Sequence, residues 1–293
     1  MSIAAAIKNQ TWFDQKEYPF QSHYLDIDGQ QMHYIDEGEG DVLLFVHGTP
    51  SWSFEFRHII KALSQTHRCI ALDHIGMGLS AKPKDYNYTS QQHAQNLEAF
   101  IEKKGLKNIT LLVHDFGGPI GFDYAIKYPQ NVQKLVLFNT WMWSAEGEPE
   151  YEKAKKIIAS PLVPFLYKYL NFSAKYLIPQ AVANKKELSK ATHKHYYKIL
   201  SNKAGRMGTL GFRNSLLQEQ GWFQELWEQR AKIANISALI IWGMEDSFIP
   251  TTYAERFESI FEQSQLVKLE GVGHFVCEEA STRVLKPLRS FLG

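Results

Sequence analysis

The stretch Ile109-Thr110-Leu111-Leu112-Val113-His114-Asp115-Phe116-Gly117-Gly118-Pro119-Ile120-Gly121 leaves the chain few choices of fold. Five mostly β-favouring residues lead to a Gly-Gly pair, and an apolar helical spacing (Ile120, Tyr124, Ala125, Tyr128) begins at once. A strand that turns into a helix this abruptly needs small residues, because the turn is strained and the helix packs close behind it. The residue at the tip is Asp115, so the segment presents a carboxylate at the end of a buried strand.

The flanking sequence supplies the sheet that such a segment requires. His23–Ile27 and Gln30–Ile35 bracket Asp28-Gly29, a hairpin signature. Asp41–Val46, Arg68–Leu72, Lys134–Phe138, Ile236–Trp242 and Gln265–Leu269 read as strands, several of them the unbroken apolar runs of buried parallel strands. Helical patterns near Phe54–Leu63, Gln92–Lys103, Thr252–Phe261 and Ser281–Phe291 alternate with them. This alternation predicts an α/β fold, a doubly wound and mostly parallel sheet with helices on both faces. Residues 1–22 read as irregular, with Trp12, Phe13, Tyr18 and Phe20 laid on the core.

From 144 to 221 the strand signals stop. Leu162, Phe165, Leu166, Tyr169 and Leu170 follow helical spacing, and Pro161, Pro164 and Pro179 punctuate the stretch. A strandless segment of this length reads as an inserted helical cap rather than a loop. Its place after a strand's C-terminal end puts it over the edge where open α/β sheets bind ligands. The expected organisation is a core from 1–143, a cap over 144–221 and the rest of the core over 222–293.

Charge and cysteine usage narrow the function. With 32 basic and 31 acidic residues the net charge is +1, which points to neither nucleic acid nor an anionic membrane. Two cysteines cannot make a disulfide framework; Cys69 reads as a free thiol in a core strand, which fits a reducing cytoplasm. The apolar run Ile3–Ile7 is too short for a signal peptide, and no run reaches the roughly 18 residues of a membrane span. Oligomeric state is left open.

Asp115, Asp246 and His274 each follow a predicted strand, so a parallel sheet brings them to one edge. Taken singly, Asp246 reads as a helix cap and His274 as a structural histidine. Taken together, their types and order are those of a nucleophile, an acid and a base in the α/β-hydrolase arrangement. His47, His74, His93 and His114 read as structural, with His47 bonded to the loop it precedes and Asp73 capping Gly76-Met77-Gly78. Aspartate ionises near pH 3.9 and needs no base to activate it, and a helix N-terminus favours its charge. Attack on an sp³ carbon bearing a leaving group forms an alkyl ester on Asp115. His274, oriented by Asp246, then takes a proton from the water that hydrolyses the ester. The backbone amides of Thr49 and Phe116 are the expected oxyanion donors. This chemistry calls for no cofactor or metal. The expected partners are a small apolar substrate and water.

The segments His47-Gly48-Thr49-Pro50-Ser51-Trp52-Ser53, Asp73 to Pro83, Val113 to Gly118, Gly243-Met244-Glu245-Asp246 and Gly271-Val272-Gly273-His274-Phe275 resemble the haloalkane dehalogenase and epoxide hydrolase branch of the α/β-hydrolase fold. The β-lactone-cleaving enzymes of olefin synthesis have similar motifs. The likeness covers about 23–143 and 222–293 and is weak in the cap. It implies halide release from small apolar substrates, with epoxide or β-lactone opening as the alternative. Two positions depart from the dehalogenase pattern. Phe116 stands where an indole donor holds the halide, and Thr49 where many relatives have Asn. Trp52, Trp141, Trp143 or Trp222 are the candidate replacements on the halide reading, with Trp52 and Trp141 the substrate-binding choices. On the epoxide reading, hydroxyls come from Tyr151, Tyr167, Tyr169, Tyr176, Tyr196 or Tyr197. A ligand-binding protein without turnover is the alternative of another class. Its usual mark, a missing triad member, is not found.

Overall fold

The chain is described from residue 3 to residue 293 in a computed structural model. Its strands are β1 (His23–Ile27), β2 (Gln30–Glu37), β3 (Val42–Val46), β4 (Arg68–Leu72), β5 (Ile109–Asp115), β6 (Val132–Thr140), β7 (Ser237–Gly243) and β8 (Ser264–Leu269). They form one sheet in the order β1-β2-β4-β3-β5-β6-β7-β8. Asp28 and Gly29 have φ of 48° and 80°, the left-handed pair that a two-residue hairpin needs, so β1 and β2 run antiparallel. The β2–β4 pair is also antiparallel, and the remaining neighbours are parallel. The doubly wound sheet read from the sequence is therefore present. Its order puts β5 between β3 and β6, so the loops leaving those two strands flank Asp115.

Side chains alternate along each strand and build two cores. Leu44, Val46, Leu111, Val113 and Leu137 share a layer with Leu97 and Phe100 of a helix over Ser90–Lys104 and with Ile120 and Phe122 of the elbow helix, Gly117–Lys127. Leu43, Phe45, Leu112 and Phe138 share the other with Ile59 and Ile60 of the helix Arg57–Leu63 and with Val284 and Leu288 of the C-terminal helix Ser281–Leu292. Burial of each such side chain contributes roughly 1.5–3 kcal/mol. The two layers together clamp β5.

The N-terminal stretch differs from its reading as irregular. Ile3–Lys8 forms a short helix, whose Ala4 amide donates to the Tyr24 hydroxyl at 2.9 Å. A hydroxyl on the edge strand caps the apolar run and docks it. Residues 1 and 2 lie outside the described part.

Between β6 and β7 the described chain is helical, with no strand: Pro149–Ile158, Leu162–Leu170, a π-helical turn Ser173–Leu177, Ile178–Ala181, Lys190–Lys198, Met207–Gln218 and Gln220–Glu228. The last of these helices runs across the expected boundary at 221/222. Its Trp222, Phe223 and Leu226 join the core layer of the elbow helix. No helix among the described residues is long and apolar enough to cross a membrane.

Candidate active site

The backbone at Asp115 has φ of +53°, a left-handed conformation costly for a side chain with a Cβ. The surroundings hold it there. The Thr140 hydroxyl donates to the Asp115 carbonyl at 2.6 Å. A Cβ on Gly117 would land on the carbonyl of Val46, and one on Gly48 would land on the Asp115 carboxylate. Both glycines are thus required by close approach, one behind the elbow and one in front of it.

The carboxylate itself has two different faces. Its Oδ1 accepts the Thr49 amide at 2.8 Å. Its Oδ2 lies 3.5 Å from His274 Nε2. On the far side of that ring, Nδ1 donates to Asp246 Oδ2 at 2.8 Å. The three residues proposed from sequence are therefore brought together, although they are spread over 160 positions of the chain. Of the two expected oxyanion donors, only Thr49 touches the carboxylate. The Phe116 amide makes no bond to it among the described contacts.

Asp246 is heavily supported. Its Oδ1 accepts the Phe248 and Ile249 amides at 2.8 and 3.1 Å. Its Oδ2 also accepts from the Asn139 amide group at 2.7 Å. Burial works against its ionisation, but the charge and hydrogen bond of His274, with the two amides, hold the carboxyl below its ordinary range. For His274 burial works against the charged form. Asp246 and Asp115 outweigh it and push the imidazole up to about 10. His274 therefore stands between two carboxyl groups that both favour its protonated form.

Asn139 was not singled out from the sequence. It also bonds the carbonyl and amide of Gly243, at 3.2 and 2.8 Å, and so ties the ends of β6 and β7 together beneath Asp246. The signal was available: a polar residue ends the apolar run Leu135–Phe138 on the edge that carries the triad. His114 was read as structural, and its contacts fit that reading. Its Nε2 donates to the His274 carbonyl at 3.0 Å while its Nδ1 faces both oxygens of buried Glu55 at 3.2 Å. The His274 amide donates to the Ala181 carbonyl at 2.9 Å, so the helical stretch between β6 and β7 also holds this loop.

The expected roles of the other loop residues are visible in their bonds. His47 Nε2 accepts the His74 amide at 3.1 Å, and its Nδ1 donates to the Gly48 carbonyl at 2.7 Å, which steadies the turn carrying Thr49. Asp73 accepts the Leu79 and Ser53 amides at 2.7 and 2.8 Å, closing the Gly76-Met77-Gly78 loop. His93 stacks on Phe212, and burial lowers its pKa to about 3.

The surroundings of the carboxylate are apolar with a few free donors. Phe116 packs edge-on against Trp141 at 4.8 Å and against Phe212 at 4.8 Å. The Trp141 indole N–H has no hydrogen bond among the described residues, and the buried Thr49 hydroxyl has none either. Trp52 lies elsewhere, fully buried beside Tyr18 and Phe54 in the opposite core layer. Trp143 is also buried, against Tyr253 and Phe257. Among the tyrosines between β6 and β7, Tyr167 is the one that feels Asp115. Burial pushes its phenol up to about 12, Arg213 pulls it down, and the Asp115 charge adds to the rise. Tyr151 and Tyr196 are engaged instead with the Leu216 carbonyl and Glu278.

Comparison with known proteins identifies the family and the fold. A family model described as alpha/beta hydrolase fold matches residues 41–281. A cis-3-alkyl-4-alkyloxetan-2-one decarboxylase of Shewanella oneidensis is 33% identical over 283 residues, which cover 94% of this chain and 89% of that protein. A protein named haloalkane dehalogenase 2 from Mycobacterium tuberculosis is 34% identical over 92% of this chain and 94% of its own length. Among solved structures, a haloalkane dehalogenase from Bradyrhizobium elkani superposes with a TM-score of 0.84 at 22% identity, covering 93% of this chain and 97% of that one.

Proposed function

The chain belongs to the α/β-hydrolase family, and from that premise we propose that it cleaves carbon–heteroatom bonds of small apolar substrates through a covalent ester on Asp115. One observation carries the reading: the Asp115 carboxylate is split between the Thr49 amide on Oδ1 and His274 on Oδ2, with Asp246 behind His274. Oδ2 attacks an sp³ carbon, the carbon–halogen bond breaks, and halide leaves with the bonding pair. Oδ1, held by Thr49, becomes the ester carbonyl oxygen.

Ester formation removes one of the two negative charges that stabilise the His274 imidazolium. The ring then gives up a proton to solvent and becomes the base that the second half-reaction needs. Water attacks the ester carbonyl carbon while His274 takes its proton. The oxyanion forms on Oδ1 beside the Thr49 amide, and the Phe116 amide is the second donor we assign to it. Collapse releases the alcohol and restores Asp115. For the halide we assign the Thr49 hydroxyl, buried without a partner, and the N–H of Trp141, whose ring packs on Phe116, in place of the donor missing at Phe116. The segment 144–221 acts as the cap over this site. Free, buried Cys69 and Cys277 support a reducing cytoplasm as the setting.

A second reading is favoured by Tyr167. Its phenol lies in the field of Asp115 with no hydrogen bond among the described residues. If the substrate is an epoxide, the ring oxygen departs as an alkoxide and needs a proton, and a phenol supplies one where a halide or a carboxylate released from a β-lactone needs only a donor.

The test is intact-mass spectrometry of the His274→Phe variant after exposure to 1-bromoalkanes, aryl epoxides and a β-lactone. Without the base the ester accumulates, and its mass identifies the electrophile. A folded variant that gains no mass from any of them rejects Asp115 as the nucleophile for these classes and moves the weight to ligand binding without turnover.

A further inference from the structure

The net charge of +1 conceals a sharp asymmetry. Residues 144–221 carry 13 Lys and Arg against six Asp and Glu, so the insertion is strongly basic and the rest of the chain is acidic. Within it, residues 153–186 hold seven lysines and no acid. Of the seven large apolar side chains exposed among the described residues, six fall inside this same stretch: Ile157, Leu162, Phe165, Tyr169, Leu170 and Tyr176. The seventh, Phe248, packs edge-on against His274 at the rim of the site.

The helix Leu162–Leu170 shows how the patch is built. Leu162, Phe165 and Tyr169 recur at i, i+3 and i+7 and share one exposed face. Tyr167, on the opposite face, is the residue within reach of the Asp115 charge. One helix therefore turns one side to the catalytic carboxylate and an apolar side to solvent. The helix is not frayed. Arg206 caps its last turn through the Lys168 and Tyr169 carbonyls at 3.0 and 3.1 Å, and Arg213 caps the preceding helix through the Ile158 carbonyl at 2.9 Å. Lys203 lies over the Tyr169 ring at 4.3 Å, and Lys153, Lys156 and Lys175 are exposed beside the patch.

A contiguous exposed apolar surface on an ordered helix marks an interface. Apolar side chains flanked by lysines, of which Lys155 alone pairs with an acid (Glu146, at 3.3 Å), suit a surface that is apolar within and anionic at its boundary. A second copy fits poorly, because a two-fold pairing of this face sets lysines against lysines. We propose that the outer face of residues 153–186 docks on an anionic phospholipid bilayer, with Leu162, Phe165 and Leu170 entering the headgroup–acyl boundary and the lysines on the phosphates. The site beneath then receives lipophilic substrate from the membrane side. This placement does not depend on which leaving group Asp115 displaces.

The experiment is co-sedimentation of the full chain with vesicles of phosphatidylcholine containing about one-third phosphatidylglycerol, and with phosphatidylcholine alone. Binding should be at least about tenfold stronger to the anionic vesicles and should fall steeply as salt shortens the screening length from about 10 Å to about 3 Å. The Phe165→Ser/Leu170→Ser and Lys153→Glu/Lys156→Glu/Lys175→Glu variants should each lose about tenfold or more while keeping the parent melting temperature, since every changed side chain is exposed. No sedimentation with anionic vesicles overturns the proposal. So does equal, salt-insensitive binding to both kinds. So does a stable dimer in light scattering that Phe165→Ser/Leu170→Ser dissolves.

Discussion

The sheet edge and the helical insertion are built on opposite principles. At the edge, each functional atom is fixed by several hydrogen bonds from backbone or buried side chains. Asp246 alone accepts from His274, Asn139 and two amides. In the insertion, helices are placed by packing and by arginine caps, and one whole face is left apolar and unpartnered. Preorganised polar groups suit charge development in a reaction. A helix face that gains its partner later suits substrate delivery and discrimination. If this division is right, changes at the edge should remove the chemistry itself, and changes in the insertion should redistribute it among substrates.

The largest effect is expected from Asp246→Asn. The amide cannot hold the His274 imidazolium, so ester hydrolysis should slow by about 10³–10⁴-fold with a folded protein. Single-turnover kinetics should show ester building up on Asp115. A loss confined to ester formation would contradict the roles assigned here. Stability carries the same signature. The His274 pKa is raised in the fold to about 10, from an ordinary value near 6.5. Its contribution is fully present below the unfolded pKa and is lost as pH rises toward 10. The stability advantage of the parent over His274→Phe should therefore shrink by several kcal/mol between about pH 6 and pH 10. Denaturant titrations at the two pH values measure it.

Smaller effects should separate the two regions by substrate. Tyr167→Phe should cost about 10–100-fold on epoxide turnover and little on bromoalkanes. Trp141→Phe should do the reverse, by about tenfold or more, because a leaving halide loses one charge-assisted hydrogen bond. Equal losses on both substrate classes from either variant would erase the distinction between a donor site and an acid site. Measuring kcat and KM separately shows whether the loss lies in the chemistry.

How much was legible follows the same division. The strands and the three strand-end residues could be read because unbroken apolar runs, a Gly-Gly elbow and polar residues at strand ends leave local marks in sequence. The hairpin at Asp28-Gly29 and the elbow at Asp115 both have the positive φ that their residues foretold. Asn139 escaped notice because its partners Gly243 and Asp246 are more than a hundred residues away. In the insertion, helical spacing was legible but its direction was not. Leu162, Phe165 and Tyr169 look like a core stripe, yet they are exposed, while Tyr167 turns inward. Spacing reports that residues share a face, and only packing decides which face is covered. Trp52, a substrate-binding choice from the motif it sits in, lies instead among Tyr18 and Phe54 because β3 hands it to the layer opposite Phe116.

The seam between the two regions offers the finest test. Glu279 is a single carboxylate shared by both: its Oε1 accepts the Gly273 amide at 3.1 Å, and its Oε2 accepts the Ala183 and Asn184 amides at 2.8 and 3.3 Å. Gly273 adjoins His274, and Ala183 follows the insertion helix ending at Ala181. Glu279→Gln leaves one accepting oxygen, which can serve only one side of the seam, while the new NH₂ faces an amide on the other. Against that loss stands the burial that raises the Glu279 pKa despite its three amides, a cost the neutral side chain escapes. The two terms nearly offset, so the change in stability near pH 7 should stay within about 1 kcal/mol. Because the folded pKa is raised, the parent should gain on the variant as pH falls through that value toward the unfolded one. Melting curves at pH 5 and pH 8, read beside kcat, test whether the seam matters to the His274 loop. A kcat lowered a few-fold at unchanged stability would mean that the insertion helps aim the base. An unchanged kcat would mean that the sheet edge holds His274 by itself.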